Sequence, residues 1–388
     1  MGQRISIKPC VFLWFIISLF LTSNIGWGQS DLQTELEAKL MILDSLRQEM
    51  QRASDAGDLE RYDQLKPLWE KIAQEVGELR AKIQSDKESL AQAIKLLKDG
   101  TDDLKAGRNA EAVIKLISSL KYDPTNHQTY HNLGYAFFGM SSSPTTYAQT
   151  LKSKATENPE IKRFFKTHNK EQALIEGTLQ KGDCLDLARK AFNEAVKLNP
   201  QYTASWIALG RVATAQGDED GAIGYYNQAL EIDPKESKAL SGLGAINLRK
   251  GNFNRAEAFY QSAIQADSSS EDIWIGYGRA LKEQGKITLA IDAFLSATRV
   301  SPRSYQAFYF LSDAYNMAGK YSEALSAAER SLSFKARYAP AWYQKGLALA
   351  HLNRKKEAEA AFEEAKKDPE WRERADYEIK VLKGEVSR

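Results

Sequence analysis

The sequence predicts an all-α protein, a superhelical solenoid of stacked helix–turn–helix repeats that follows an N-terminal helical hairpin. One small residue recurs at a period of 34, as Ala188, Ala222, Ala256, Ala290, Ala324 and Ala358. Glycine recurs at the same period, for example at Gly210 and Gly244. A fixed period of this length is typical of stacked helical pairs, in which only a small side chain fits where two helices approach closely.

Residues 1–28 have the three parts of a secretory signal. Arg4 and Lys8 precede an apolar run from Val11 to Leu21, and Gly26-Trp27-Gly28 offers small residues for cleavage. We expect cleavage after Gly28, since the apolar run is shorter than the roughly 20 residues that a spanning helix needs. Retention of the segment as an anchor is the alternative. The sequence thus predicts an exported protein, periplasmic or secreted, with no membrane span in the mature chain.

Residues 29–92 are predicted to form the helical hairpin. Asp55-Ala56-Gly57-Asp58 separates two stretches in which apolar residues recur every three or four positions. These are Leu36, Leu40, Leu43, Leu46 and Met50, then Leu65, Trp69, Ile72, Val76, Leu79 and Ile83. We interpret the hairpin as a cap on the first repeat, with self-association as a coiled coil as the alternative. Ser85 and Glu88 have the spacing of a capping box, which predicts a new helix starting there.

The repeat array is predicted to span residues 93–372 in about eight repeats, the first being 93–126. The second, 127–160, is irregular: Ser141-Ser142-Ser143-Pro144 stands where a short turn is expected, and its second helix is expected over 145–157. We interpret 160–167 as a spacer, after which the 34-residue frame resumes at Asn169.

Three repeats depart from the frame, and the array ends in a cap. Glu176 and Ser312 replace the close-packing glycine, and Lys345 replaces a leucine, so looser packing is expected there. Residues 373–388 are predicted to form a C-terminal capping helix, because the last repeat of a stack would otherwise expose an apolar face.

The repeat at 203–236 resembles a tetratricopeptide repeat. It has Trp206, Leu209 and Gly210 on the first helix, Ala222 on the second and Pro234 at the end, in the order W-x2-L-G followed by A and a closing Pro. The resemblance implies a right-handed superhelix whose first helices line a concave groove, and a scaffold that binds peptides or partner helices there.

The resemblance assigns the second, fifth, ninth, twelfth and thirteenth residues of each repeat to the groove. The partner-binding residues predicted in this way are His131, Tyr135, Ile207, Arg211, Lys238, Arg249, Ile275, Arg279, Lys282, Tyr309 and Tyr343. Five of them are basic, against Asp272 and Glu283 at equivalent positions, so an acidic protein or peptide is the expected partner. The carboxylate clamp known in the family also needs asparagines on the groove, and Asn132 and Asn316 lie far apart in the array.

Composition and side-chain chemistry argue against several function classes. A net charge of +2 gives nucleic acid no bulk electrostatic reason to bind. His127 and His131 share a helix face but lack a third metal ligand. Cys184 stands alone after signal removal, and no catalytic set or cofactor-binding loop is recognisable. We therefore expect a non-enzymatic adaptor without cofactor or metal; the alternative is an assembly component of an envelope complex that oligomerises through residues 29–92.

Overall fold

The computed structural model describes residues 29–386, and these residues form nineteen α-helices and no strand. The all-α prediction is confirmed, whereas the predicted signal segment lies outside the described residues. Two compact units are present. One reaches to Leu96 and includes Lys121–Asp123, and the other comprises Leu97–Leu120 and the chain from Pro124 onward. Within residues 29–386, no helix combines the length and the apolar composition needed to cross a bilayer.

The first unit is a helical hairpin. Helix α1 spans Gln29–Asp55 and helix α2 spans Leu59–Lys105, beyond the end of the unit. Leu36 of α1 is buried with Val76 and Ile83 of α2, and two ion pairs join the helices, Lys39 with Glu75 and Arg61 with Glu49.

Helix α2 corrects the prediction of a new helix at Ser85, since it runs through this position without a break. Glu88 does not cap a helix; its side chain accepts a hydrogen bond from Gln84 Nε2 at 2.8 Å. Buried residues continue the seam on both sides, at Ile83 and Ala93. No glycine or proline lies between Ile83 and Ala93, so residues with capping-box spacing can also lie inside a helix. The predicted boundary at 92/93 therefore falls inside a helix.

The second unit contains the remaining helices, which follow one another through short turns. They are α3 (Asn109–Leu120), α4 (His127–Met140), α5 (Pro144–Ala155), α6 (Pro159–Thr167), α7 (Glu171–Glu176), α8 (Lys181–Leu198), α9 (Thr203–Gln216), α10 (Glu219–Ile232), α11 (Ser237–Arg249), α12 (Phe253–Ala266), α13 (Glu271–Glu283), α14 (Ile287–Val300), α15 (Tyr305–Met317), α16 (Tyr321–Phe334), α17 (Ala339–His351), α18 (Lys355–Lys366) and α19 (Arg372–Lys383).

From α9 onward the helices pair as predicted, and one contact recurs in most pairs. A glycine of the first helix lies against an aromatic ring of the second helix. A Cβ atom added at Gly210 would come within 2.5 Å of Tyr226, and one at Gly278 within 2.5 Å of Phe294. The periodic alanines, from Ala188 to Ala358, are fully buried. The small residues of the frame are thus packing residues, as expected.

The same contact shows that the irregular second repeat was wrongly predicted. Gly134 of α4 lies against Phe192 of α8, where an added Cβ would come within 2.6 Å of the ring. Helix α4 packs most extensively on α8, and both α4 and α8 then contact α9. Helices α4 and α8 therefore form one repeat, interrupted by α5, α6 and α7. The predicted repeats at 127–160 and from Asn169 are two parts of this single unit.

The interrupting segment folds as three short helices and packs on α3. The predicted spacer at 160–167 is helix α6, which starts at Pro159 behind the cap residue Asn158. Its Phe165 is fully buried and makes an edge contact with Phe137 of α4 at 6.0 Å between ring centroids. Glu176 ends α7 and is exposed, so it does not occupy a close-packing position.

The repeat with Ser312 is as tightly packed as its neighbours at this position. Ser312 is fully buried, and its hydroxyl donates a hydrogen bond to the Ala324 carbonyl at 2.8 Å. On the second helix of this repeat, the position that carries an aromatic ring in other repeats is occupied by Ala328, which is also fully buried. A larger residue on one helix is therefore matched by a smaller one on the other.

The array ends at α19, which packs on α18 through the buried side chains of Ala375 and Ile379. Trp371, just before α19, contacts Tyr343 of α17 at 5.2 Å between ring centroids. Helix α19 therefore covers the apolar surface of the last pair.

Candidate functional site

The candidate site is the face formed by the first helices of successive repeats. Helices α4, α9, α11, α13, α15 and α17 each contact the next one in this series, whereas the second helices from α10 to α18 make no comparable contacts with one another. A stack whose first helices are closer together curves toward them. We call the surface lined by these six helices the first-helix face, and it corresponds to the groove expected from the sequence.

Four of the predicted basic residues are exposed on the first-helix face: Arg211, Lys238, Arg249 and Arg279. The guanidinium of Arg211 lies over the Phe138 ring at 5.5 Å, and that of Arg279 lies 5.7 Å from the Phe310 ring. A guanidinium stacked on a ring keeps its N–H donors available at the edge.

Arg249 differs from the other two arginines because it has an acidic partner. Its Nε donates to Oε1 of Glu219, which lies in the preceding repeat, at 3.2 Å. The acidic Asp272 and Glu283 are also exposed. The face therefore carries both signs of charge, with the basic residues in excess.

Three predicted contact residues are buried, so the structure places them in the core. His131, Ile207 and Ile275 are 7%, 5% and 8% exposed. Each is the fifth residue of its repeat, and that position packs against the neighbouring repeat. For example, His131 Nδ1 lies 2.8 Å from Ser205 Oγ of α9. Little of their surface remains for a partner.

The other predicted residues, Tyr135, Lys282, Tyr309 and Tyr343, are half-buried. Lys282 Nζ donates to Asp313 at 2.7 Å. Gln344 also donates to Asp313, at 2.9 Å, and accepts from Asn316 at 2.9 Å. These polar contacts tie α13, α15 and α17 together, so Lys282 already has a carboxylate partner.

Aromatic side chains concentrate at the end of the face near α19. The rings of Tyr305 and Tyr309 each contact that of Tyr338, at 4.8 and 5.5 Å between centroids. Arg374 lies over Trp371 at 5.3 Å. Sequence reasoning missed Arg374, although continuing the 34-residue frame past the last repeat would have assigned it to the groove.

Two tyrosines of the second helices also reach this face, and the sequence analysis did not include them among the groove residues. The ring of Tyr226 lies between Gly210 and Gly242, and that of Tyr260 between Gly244 and Gly276. Both ring edges therefore span the space between consecutive first helices. The sequence contained one indication of this role, a tyrosine at a position where other repeats have phenylalanine.

The polar residues considered for metal or clamp chemistry make contacts within the chain. His127 Nε2 lies 3.3 Å from Asn199 Nδ2, and burial lowers the pKa of His131 to about 4, with a smaller effect from the nearby His127. No group of three or more His, Cys, Asp or Glu side chains in residues 29–386 is placed to hold a metal ion. Asn132 donates to Thr101 Oγ1 at 2.8 Å.

Cys184, which lies outside the predicted signal segment, is also part of the core. It is fully buried in α8, and burial raises the pKa of its thiol to about 12. A thiol with such a pKa is protonated at neutral pH and is a poor nucleophile.

Comparison with protein families confirms the resemblance. Sequence models described as Tetratricopeptide repeat match residues 178–237, 233–271, 277–340 and 339–367. The matches begin just after the interrupting segment, as expected if that segment breaks the 34-residue unit. No curated protein sequence matches this chain.

Solved structures with a similar arrangement of helices include tetratricopeptide-repeat proteins. One from Parabacteroides merdae is 17% identical, with a TM-score of 0.48, and the match covers 75% of this chain and 99% of that one. YrrB, described as a TPR protein with an unusual peptide-binding site, is 20% identical, with a TM-score of 0.42 and coverage of 49% and 99%. MamA is 27% identical, with a TM-score of 0.38 and coverage of 44% and 97%.

Proposed function

Because this chain is a tetratricopeptide-repeat protein, we propose that it is a scaffold that binds a segment of another protein on its first-helix face. The observation that carries the proposal is the set of exposed guanidinium groups of Arg211, Arg249 and Arg279 on consecutive first helices. The chain as a whole is nearly neutral, with a net charge of +2. A local excess of basic residues on such a chain favours an acidic partner.

We also propose that the scaffold works outside the cytoplasm, in the cell envelope or after secretion, and that it acts by binding alone. The basic and apolar parts of residues 1–28 support export. In this setting the protein would bring envelope or secreted proteins together.

Site-specific photo-cross-linking in cells that make the protein tests the proposal. A photoreactive amino acid at Ala245, the ninth residue of its repeat on α11, is expected to cross-link to another protein. The same amino acid at Gln228, exposed on the second helix α10, serves as the control. Charge reversal at Arg211, Arg249 and Arg279 is expected to abolish the Ala245 product. Identical products from both positions would contradict binding on the first-helix face.

A second candidate function is assembly through the helical hairpin, favoured by large apolar side chains at its surface. Met41 of α1 is 75% exposed and Leu59 of α2 is 71% exposed. Sedimentation velocity of the full chain tests this function, with Met41→Lys and Leu59→Lys combined. A dimer that dissociates in the double variant would support assembly, and a monomer in both cases would remove it.

A further inference from the structure

A cavity of about 770 Å³ lies between α15 and α16, on a side of α15 that the first-helix face does not use. Its lining includes Phe308, Leu311, Tyr315, Glu323, Ser326 and Ala327, and we call it the outer pocket. Successive residues of a helix are turned by about 100°, so Leu311 and Tyr315 lie on a different side of α15 from the groove positions Tyr309 and Asp313. Ligand sites commonly have volumes of about 300–1,000 Å³, so the outer pocket is large enough to take part of a partner.

Small side chains at two packing positions leave the space for the outer pocket. In the α9–α10 repeat these positions carry Trp206 and Tyr225, whose ring centroids are 6.2 Å apart. The same positions three repeats later carry Phe308 and Ala327. The floor remains apolar, since Ala327 and Leu311 are 6% and 4% exposed. A partner can therefore bury apolar side chains where another repeat buries its own rings.

One end of the outer pocket carries carboxylates without a partner. Glu323 of α16 and Asp292 of α14 are both exposed, and neither makes an ion pair within residues 29–386. Burial raises the pKa of Tyr315, and Glu323 and Asp292 raise it further, so both carboxylates act on the Tyr315 phenol. An aromatic ring beside unpaired carboxylates favours a cation, and a guanidinium both stacks on a ring and pairs with a carboxylate.

The next repeat shows the paired state of the same carboxylate position. There Glu357 occupies the position of Glu323, and Arg354 donates to it from Nε at 2.7 Å and from a terminal nitrogen at 2.6 Å. Lys320 occupies the position of Arg354 but makes no ion pair with Glu323 within the described chain. The Glu323 carboxylate is therefore available to a group from outside the repeat.

The charged groups at the other end of the outer pocket already have partners. Glu329 pairs with Lys345 at 3.0 Å, and the Arg330 guanidinium lies 4.6 Å from the centroid of the Phe334 ring. A cationic group of a partner is therefore favoured at the Tyr315 end, with an apolar part along the rest of the pocket.

The length of the outer pocket fits a helix. Its lining runs along α16 from Ser322 to Ser333, which is about 16 Å or three helical turns. A single ion or side chain would fill only part of this length. A helix laid in a groove presents side chains at every third or fourth residue along one face, which matches an apolar floor that ends beside a carboxylate.

We propose that the outer pocket binds an amphipathic helix of a partner protein, with an arginine of that helix at the Tyr315 end. Apolar side chains of the helix pack on Leu311 and Ala327. The guanidinium stacks on Tyr315 and pairs with Glu323. This site goes beyond the proposed function, because it lies on another side of α15 and prefers the opposite charge. A chain with both sites occupied holds an acidic and a basic partner together.

Fluorescence anisotropy with the full chain and a labelled (Arg-Ala-Ala-Leu)4 peptide tests the site. This Ala-rich peptide favours a helix and places arginine and leucine on neighbouring faces. We expect it to bind, and the same peptide with neutral citrulline in place of arginine to bind about tenfold more weakly. Glu323→Gln should also weaken binding about tenfold. Ser326→Trp, at an exposed position of the pocket wall, should abolish binding by filling the pocket, without lowering the melting temperature.

Glu357→Gln is the matched control, because Glu357 has the same position in the next repeat, where Trp342 replaces Phe308. It should bind the peptide as the wild type does. Absence of peptide binding, equal affinity of wild type and Ser326→Trp, equal loss in both glutamate variants or equal binding of the citrulline peptide would each overturn the site.

The cross-linking experiment separates this site from the proposed function. Cross-linking from Ala245 should persist in Ser326→Trp, and its loss there would show that the outer pocket is not a separate site. If cross-linking from Ala245 fails in the wild type while the peptide binds the outer pocket, the proposed function fails and this site stands.

Discussion

The repeat formed by α4 and α8 and the repeat formed by α9 and α10 make the same contact across very different lengths of chain. Gly210 meets Tyr226 of the very next helix, whereas Gly134 meets Phe192 only after three additional helices. The two helices of the interrupted repeat nevertheless pack as closely as those of the regular repeats. A repeat is therefore defined by one packing contact, in which a glycine of the first helix lies against an aromatic ring of the second. The chain that connects the two helices can be lengthened without loss of this contact.

Tolerance of the long connection follows from loop thermodynamics. The entropic cost of closing a loop grows only slowly with length, by about 0.6 kcal/mol for each doubling. The interrupting segment also buries apolar side chains of its own, such as Ile161, Phe165 and Leu174. These contacts with the array offset part of the cost of ordering the segment.

The largest expected effect is removal of the ring itself. Phe192→Ala and Phe294→Ala each leave a cavity at a fully or almost fully buried position, and each should lower the free energy of unfolding of its repeat by about 3–5 kcal/mol. Native-state hydrogen exchange of amides in α8 and α14 measures the two losses separately, since a repeat array need not unfold in one step. A much smaller loss at Phe192 would show that the interrupted repeat is a looser pair than its geometry indicates.

Filling the space opposite the ring should have the next largest effect. A Cβ atom at Gly134 or Gly278 would lie 2.6 or 2.5 Å from the facing phenylalanine, well inside van der Waals contact. We expect Gly134→Ala and Gly278→Ala to destabilise by about 1–3 kcal/mol, as overpacking usually does. Chemical denaturation, monitored by hydrogen exchange in the same helices, compares the loss of stability in the two repeats. Unequal losses would separate the two repeats, and a gain in either would refute the contact.

The regular repeats could be predicted from the sequence because their packing residues lie at a constant separation. Gly210 on the first helix and Ala222 on the second helix identify one helix pair, and the next pair has the same two residue types 34 positions later. The interrupted repeat could not be predicted, because the segment after Gly134 contains a stretch that resembles the second helix of a repeat. Ala148 imitates the small packing residue, and Asn158-Pro159 imitates a repeat end, although Asn158 in fact caps α6.

The candidate site was predictable only in part, for a related reason. Arg211 and Arg279 point to the face because the ninth residue of each first helix is not needed for packing. The fifth residue is needed, so Ile207 and Ile275 are buried. Tyr260 belongs to a second helix and fills a packing position. The groove positions are counted on the first helices alone, so they do not include it.

The interrupted repeat also differs in how it should respond to pH. His131 occupies the position that Ile207 fills in the next repeat, and burial lowers its pKa to about 4. The unfolded chain has the ordinary histidine pKa of about 6.5, so between these values the unfolded state binds more protons. The stability contributed by neutral His131 is complete above about pH 6.5 and is lost as pH falls toward 4.

Between pH 7 and pH 5 this difference should lower the free energy of unfolding of the α4–α8 repeat by about 2 kcal/mol. Hydrogen exchange of α4 and of α9 at the two pH values provides the measurement, with His131→Ile as the control that removes the titrating group. The same pH dependence in wild type and His131→Ile would assign the effect to another group, such as His168, whose pKa is also lowered by burial.

The smallest expected effect concerns a glycine that faces no ring. Gly224 lies within α10, and a Cβ added there would meet nothing within 4 Å. Alanine favours a helix interior over glycine by about 1 kcal/mol, so Gly224→Ala should stabilise the α9–α10 repeat by up to that amount. Gly210→Ala, on the partner helix, should destabilise the same repeat, because its Cβ would lie 2.5 Å from Tyr226. The opposite signs of two identical substitutions would show that the contact, and not glycine as such, is what both kinds of repeat share. If both substitutions destabilise the repeat, helix α10 needs its glycine for a reason unrelated to packing.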